Sequence, residues 1–327
     1  MLNYKKLGFE NTKKMYQEAL KKNYALPGYN VSNMEQIQAV LSACLHTQNS
    51  VVMQISKKAY EYIGEKLIAP MIAGAILQMK EDAKKMKLKP ITVALHLDHG
   101  DSFELCVSAI KNGFSSVMID GSHLDYKENV KLTKKVVNFA HKYSVTVEGE
   151  LGVLAGVEDD VSADENVYTR PEDVEDFVNK TGVDSLAIAV GTSHGAYKFK
   201  PGQQPKIRLD ILRAVEKRLK NFPIVLHGSS SIPQDAIKKI NQYGGKMPDA
   251  IGIDAKQVRE ASKTPVCKVN IDSDSRVTMS ASIRESFVKS PEVFDPRAYL
   301  GIAREDLLKM YMKKNIEVLG CGRKTAK

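Results

Sequence analysis

Short β-rich runs alternate with longer amphipathic helical runs from the first quarter of the chain to the last, a pattern that specifies a parallel sheet with helical crossovers. Strand-like runs cover 25–30, 50–55, 91–97, 116–120, 146–151, 185–190, 224–227 and 266–271, and helical periodicity marks 34–44, 103–112, 126–142, 171–181, 209–219 and 233–243. Eight strands with intervening helices predict an α/β fold, the (β/α)8 TIM barrel. Such a barrel takes about 250 residues. The chain has 327, so long βα-loops and added helices must hold the surplus. Two stretches qualify: the acidic, Gly-containing loop 152–170, and 273–327, which reads as helices separated by a turn at 291–296. We expect one domain over 1–327, with a C-terminal helical extension starting at about residue 275. No linker, low-complexity segment or short-period repeat divides the chain.

Composition excludes several classes. With 43% hydrophobic and 27% charged residues the chain reads as globular. The longest apolar stretch, near 67–77, is broken by Pro70 and falls short of the roughly 18 to 20 residues of a spanning helix, so no membrane association is expected. The opening MLNYKKLGFENTKK has no apolar core or small-residue cleavage site, which predicts a cytoplasmic protein. Cys44, Cys106, Cys267 and Cys321 form no CxxC pair, against a disulfide framework or a cysteine-built zinc site. The net charge of +9 invites either nucleic acid or a small anionic substrate. The lysines are spread along helical segments such as 80–89 and 131–142, as on solvated faces, and no basic block favours nucleic acid.

Chemistry in such barrels sits where strands run out at their C-terminal ends. The third strand ends in HLDHG (96–100), the fifth carries VEGELG with Glu148 and Glu150, the sixth runs into VGTSHG with His194, and the seventh into LHGSSS with His227. The eighth ends in VNIDSDSR, with Asn270, Asp272 and Arg276. His99, His194 and His227 each stand beside a glycine at the end of a different strand, where neutral imidazoles can converge on one cation. The alternative for any one of them is an ordinary hydrogen-bonded histidine, but the same context repeated three times favours a shared metal. Zinc is the first choice, since a catalytic zinc keeps three protein ligands and an open position; Co2+ or Fe2+ fits the same ligands.

Glu150 is an alternative ligand or a partner of one; otherwise it is a barrel-interior carboxylate bonded to a neighbour. His96 reads as a structural histidine. In a continuing strand Asp98 and His99 would point to opposite faces. If the strand ends here, relaxed by Gly100, His99 turns to the metal while Asp98 faces substrate as a general acid/base. The alternative for Asp98 is a helix N-cap, a role that Asp101 or Ser102 fills better. Residues 229–231 precede Pro233, a residue suited to a first helical turn, and make one anion cradle. A second is plausible at Ser273, with Lys198 and Arg276 adding positive charge. Barrel enzymes often hold phosphate after the seventh and eighth strands.

In this order and at these separations, HLDHG, VEGELG, VGTSHG, LHGSSSIP and NIDSDSR closely resemble the class II, metal-dependent fructose-bisphosphate aldolases. The resemblance begins near PGYN (27–30) and MQIS (53–56) and continues to FDPRAYLG (294–301). It implies zinc on His99, His194 and His227, and Asp98 exchanging a proton with the C4 oxygen of a phosphorylated ketose. Glu158 corresponds to a loop acid implicated in C–H proton transfer, with Val157 replacing a carboxylate seen beside it in some members. Ser230, Gly195 and Lys198 correspond to parts of the phosphate site on the dihydroxyacetone side, Ser56 matches another phosphate-side residue, and Asn30, Gly228 and Ser229 are further implied substrate-binding positions. Asn270 matches a contact to the ketose chain, and Ser273 stands where threonine is usual. Arg276 and Arg297 match residues that grip the other phosphate, Arg297 often from a neighbouring subunit, which implies a homodimer or homotetramer. A monovalent cation, Na+ or K+, is a further implied cofactor.

Two positions depart from the family pattern: Lys58 replaces a common glycine, and Ser229 the second glycine of a frequent HGG. Asp272 stands where tagatose-bisphosphate aldolases usually carry alanine, so the resemblance favours fructose 1,6-bisphosphate in glycolysis or gluconeogenesis, with tagatose 1,6-bisphosphate as the alternative. Two other readings compete: a Schiff-base aldolase using Lys268, and a non-catalytic basic protein that binds RNA or a partner.

Overall fold

The computed structural model describes residues 1–152, 155–158, 161–163, 168–194, 206–247 and 250–323, with the backbone path alone at 155–158, 161–163 and 194. The strands are β1 (Leu26–Asn30), β2 (Val51–Ser56), β3 (Val93–Gly100), β4 (Ser116–Ile119), β5 (Thr146–Leu151), β6 (Ala155–Glu158), β7 (Val161–Ala163), β8 (Ser185–Ile188), β9 (Ser193–His194), β10 (Ile224–Leu226) and β11 (Val266–Ile271). The helices are α1 (Thr12–Lys22), α2 (Met34–Thr47), α3 (Lys57–Ile63), α4 (Ile68–Met86), α5 (Phe103–Lys111), α6 (Tyr126–Ala140), α7 (Pro171–Thr181), α8 (Leu209–Arg218), α9 (Gln234–Gln242), α10 (Ala255–Ala261), α11 (Ser273–Lys289) and α12 (Pro296–Lys313).

Eight parallel strands close into a barrel in the order β1-β11-β10-β8-β5-β4-β3-β2, the (β/α)8 architecture the alternation predicts. Their residues are almost all buried, because the helices cover the outer face and side chains fill the interior. Starts of the surrounding helices are set locally. Asn33, Ser102 and Asp125 accept backbone N–H bonds from Gln36, Leu105 and Glu128, and Pro171 opens α7. Helices such as α8 turn an apolar stripe inward, here Ile211, Leu212 and Val215. At the N-terminal mouth, Met15, Tyr16 and Ala19 of α1 pack on Leu26, Val52, Ala94 and Cys267 near the strand starts. That end is plugged, so the site has only the other one.

Most boundaries move by a few residues, and two of the shifts bear on the site. β3 runs on to Gly100 rather than stopping at Leu97. Pro233 is the N-cap of α9, which begins at Gln234, rather than a residue of its first turn, and the serine run stands ahead of the helix as expected. The segment read as a plain loop, 152–170, contains the antiparallel pair β6–β7, and β6 also pairs in parallel with β9, setting Gly156 opposite His194. Those strands are too short for alternation to reveal them. After β11 the chain continues as α11 and α12, the latter against α2. Tyr311 of α12 meets Tyr29 of β1 with ring centroids 4.3 Å apart. Among the described residues no helix is long and apolar enough to cross a membrane.

Phe177 of α7 is fully buried against the barrel wall near Gly149. Phe177→Ala should lower the unfolding free energy by about 3–5 kcal/mol, as for other large core truncations, read as a shifted urea midpoint.

Candidate active site and metal centre

The C-terminal mouth of the barrel is built around a bulge in β3. The β3–β4 register shifts between Leu97 and Gly100, and His99 takes φ +47°, a left-handed conformation uncommon for a residue with a side chain. The bulge does what a strand end was expected to do: it frees Asp98 and His99 from strict alternation while the strand continues. Asp98 is buried, its Oδ2 accepting from Asn30 Nδ2 at 2.7 Å and its Oδ1 from Asn270 Nδ2 at 3.0 Å. Amides from β1 and β11 therefore hold both carboxylate oxygens.

His99 Nδ1 lies 2.9 Å from Asp120 Oδ2 and 3.6 Å from Glu150 Oε2. His227, one residue beyond β10, places Nε2 at 3.0 Å from Glu148 Oε1. Asp120 and Glu148 each accept a hydrogen bond from the nitrogen they face, which fixes the tautomer of that ring. The remaining nitrogens, His99 Nε2 and His227 Nδ1, face one another at 2.8 Å, with the rings edge to face. Two neutral imidazoles would oppose lone pairs there, so something positive must stand between them. With protons alone, burial works against the charged form of His99, yet Asp98, Asp120 and Glu150 hold its pKa well above the ordinary imidazole value. Burial and the neighbouring His99 keep His227 below it.

The surrounding carboxylates make the same point. Burial, with Asp120 and other acids nearby, pushes Glu150 well above the usual range, and its buried Oε2 accepts no hydrogen bond among the described residues. Despite burial, the His99 contact holds Asp120 well below it. Donor atoms of Asp98, His99 and His227 lie within 4.8 Å of one another, as do those of His99, Asp120 and Glu150. Facing imidazole nitrogens, carboxylate-oriented rings and an orphaned buried oxygen together fit a divalent cation.

Below the histidines lies a polar belt. Lys268 Nζ, fully buried, contacts Glu148 Oε2 and Gln54 Oε1, both at 2.9 Å. His96 Nδ1 pairs with Ser116 Oγ at 2.8 Å, and burial with the adjacent Lys268 drops its pKa to about 3. His96 is thus a neutral, hydrogen-bonded histidine, and the Lys268 ammonium is committed to Glu148.

The structure brings Asp98, His99, His227, Glu150, Asn30 and Asn270 into one cluster. Ser56, the N-cap of α3, sits in register with Asp98 on the adjoining strand. Gly228 has φ +59°, and a Cβ there would meet Ser193 backbone at 2.6 Å, so this glycine lets the loop after β10 touch β9. The backbone of His194 is thereby close to His227, while its side chain and that of Glu158 lie outside the described residues, as do Gly195 and Lys198. Ser229 and Ser230 are buried beyond Gly228, Ser229 Oγ donating to His227 O at 3.1 Å. Asp272 and Arg276 form an ion pair of 2.6 Å beside Ser273 at the start of α11. Arg297 is different: its side chain is 91% exposed, pairs with Asp295, and joins none of these groups among the described residues.

Sequence reasoning gave no role to Asp120 or Glu148. Both had a signal. Asp120 ends the run SVMID at a strand end, and Glu148 stands two residues before Glu150, hence on the same strand face.

Residues 10–324 match the family model described as "Fructose-bisphosphate aldolase class-II". The chain is 52% identical to a fructose-bisphosphate aldolase of Treponema pallidum (strain Nichols), covering 98% of each chain. It is 44% identical to that of Giardia intestinalis (strain ATCC 50803 / WB clone C6), covering 92% of this chain and 90% of that one. Among solved structures it is similar in fold to the YdjI aldolase from Escherichia coli K12, with a TM-score of 0.73 at 24% identity over 97% of this chain and 100% of that one.

The carboxylate behind His99 gives a direct test of the centre. Asp120→Asn should weaken divalent-metal affinity by about 10- to 100-fold, measured by chelator competition, with the fold intact.

Proposed function

The chain belongs to the class II fructose-bisphosphate aldolase family, and from that premise we propose that it reversibly cleaves fructose 1,6-bisphosphate to dihydroxyacetone phosphate and glyceraldehyde 3-phosphate. The observation that carries the reading is Asp98: a buried carboxylate held by two amides beside a pair of facing imidazoles. Members of this family are generally metal-dependent. The ligands here would be His99, His227 and His194, with Glu150 as alternative ligand or support, and zinc is the proposed metal, with Co2+ or Fe2+ on the same donors. A bound divalent cation supplies charge stabilisation at the ketose oxygens as the carbon–carbon bond breaks, a contribution of several kcal/mol that makes a lysine imine unnecessary.

The chain's own residues do the rest. Asp98 takes the proton from the C4 hydroxyl, the C4 oxygen becomes the aldehyde oxygen, and the C3–C4 bonding pair stays with C3. Asn30 and Asn270 hold both carboxylate oxygens of Asp98 and aim them for that transfer. Glu158 returns a proton to C3. Gly195, Lys198, Gly228, Ser229, Ser230 and Ser273 bind the phosphate on the dihydroxyacetone side. Arg276 and, from a second copy, Arg297 bind the other, and the exposure of Arg297 on its own chain supports such a homodimer or homotetramer. Phosphate binding supplies alignment rather than chemistry. Asp272 favours fructose over tagatose bisphosphate, in keeping with the names of the relatives. A monovalent cation, Na+ or K+, accompanies the substrate phosphate. In this reading the helices from about residue 275 belong to the same domain as the barrel. The enzyme works in the cytoplasm, with no nucleic-acid partner.

Chelation should abolish cleavage of fructose 1,6-bisphosphate and added zinc should restore it, followed by coupled assay; activity indifferent to metal would overturn the proposal. Asp98→Asn should lower kcat by about 10^2- to 10^4-fold while zinc stays bound. Borohydride with substrate should trap no adduct on Lys268, and tagatose 1,6-bisphosphate should be cleaved more slowly.

A further inference from the structure

Helix α12 does not simply stop at Lys313. It runs into one π-helical turn, Lys314–Val318, a geometry that re-aims side chains and is frequent at functional places. Buried polar groups link this end of the helix to β1, the start of α11 and the loop after β10. Tyr311 OH donates to Ser275 Oγ at 2.8 Å, and Asn315 Oδ1 accepts from Tyr29 OH at 2.8 Å. Lys314 Nζ, itself buried, donates at once to Ser231 Oγ and to Asp274 Oδ1. Asp274 is fully buried, and its Oδ2 accepts no hydrogen bond among the described residues.

A buried ion pair is a poor source of stability, because removing two charges from water offsets most of their attraction. What this pair does is join two loops. Ser231 follows Ser229 and Ser230 after β10, and Asp274 lies in the first turn of α11 between Ser273 and Arg276. On its other side the serine loop rests on Gly252, where a Cβ would meet Ser230 O at 2.4 Å, and Ile253 N donates to Ser230 O at 3.1 Å. Ile232 closes the loop at φ +23°, strained for a residue with a side chain. The loop is therefore clamped between the α9–α10 connection and Lys314.

We infer that Lys314 is a positioning residue for phosphate recognition: by holding Ser231 and Asp274 together it fixes the spacing between the serine loop and the start of α11. The inference rests on the proposed phosphate role of Ser229, Ser230 and Ser273. It also gives the C-terminal helix a part in substrate binding without any contact to substrate.

The test uses the full-length, zinc-loaded enzyme. Ser231→Ala removes the link to the loop and leaves the ion pair; the double variant Lys314→Met with Asp274→Asn removes the pair without stranding a charge; Lys314→Arg keeps a donor to both. The first two should raise KM for fructose 1,6-bisphosphate about tenfold, or about 1.4 kcal/mol, with kcat within about twofold. Calorimetric affinity for dihydroxyacetone phosphate should fall in parallel, with the urea midpoint unchanged for Ser231→Ala. Combining all three substitutions should add little, and Lys314→Arg should stay near wild type. An unchanged KM and unchanged dihydroxyacetone phosphate affinity in Ser231→Ala and in the double variant would overturn the inference while leaving the functional reading standing. A wild-type enzyme that cleaves no ketose bisphosphate would overturn both.

Discussion

Two imidazole nitrogens 2.8 Å apart, each on a ring whose other nitrogen is tied to a carboxylate, form the constraint around which this molecule is arranged. The rings come from positions 128 residues apart in the chain, and their carboxylates from two further strand regions. A closed barrel meets that requirement. Curling the sheet brings β3, β4, β5 and β10 around one axis, so groups remote in sequence converge at one mouth. Plugging the opposite mouth with α1 leaves the cluster facing outward.

The polar belt beneath explains how a carboxylate-rich centre survives burial. Glu148 sits between Lys268 on one side and His227 on the other, so its charge is compensated from below while it orients a ring above. Burial raises its pKa, but those partners outweigh burial and hold it well below the usual range. Burial, with the same ammonium beside it, keeps His96 neutral. Lys268 thus acts as an internal counter-ion rather than a nucleophile, and removing either partner would strand a buried charge, which is far costlier than replacing both.

The barrel was legible because parallel strands covered on both sides read as continuous apolar runs, and the runs at 146–151 and 266–271 coincide with β5 and β11. His99, His227 and Asp98 were legible because polar residues beside glycines at strand ends are out of place in an apolar pattern. Other features were not. The bulge that turns His99 is a tertiary adjustment with no local signature, since histidine does not advertise a positive φ as glycine does. The pairing of Asp120 with His99 depends on the β3–β4 register, and the clamp from Lys314 to Ser231 and Asp274 on where the C-terminal helix docks. β6, β7 and β9 are four, three and two residues long, below the length at which alternation becomes a signal.

The small sheet outside the barrel has a thermodynamic consequence. Gly156 and His194 are partners in one ladder, so the hairpin bearing residue 158 and the segment bearing residue 194 share backbone hydrogen bonds and gain or lose order together. Free energy released when a ligand settles one of them appears as rigidity in the other, and linkage makes that exchange symmetric. With His194 as a ligand of the proposed centre, cation affinity there and the pairing of the hairpin would be coupled.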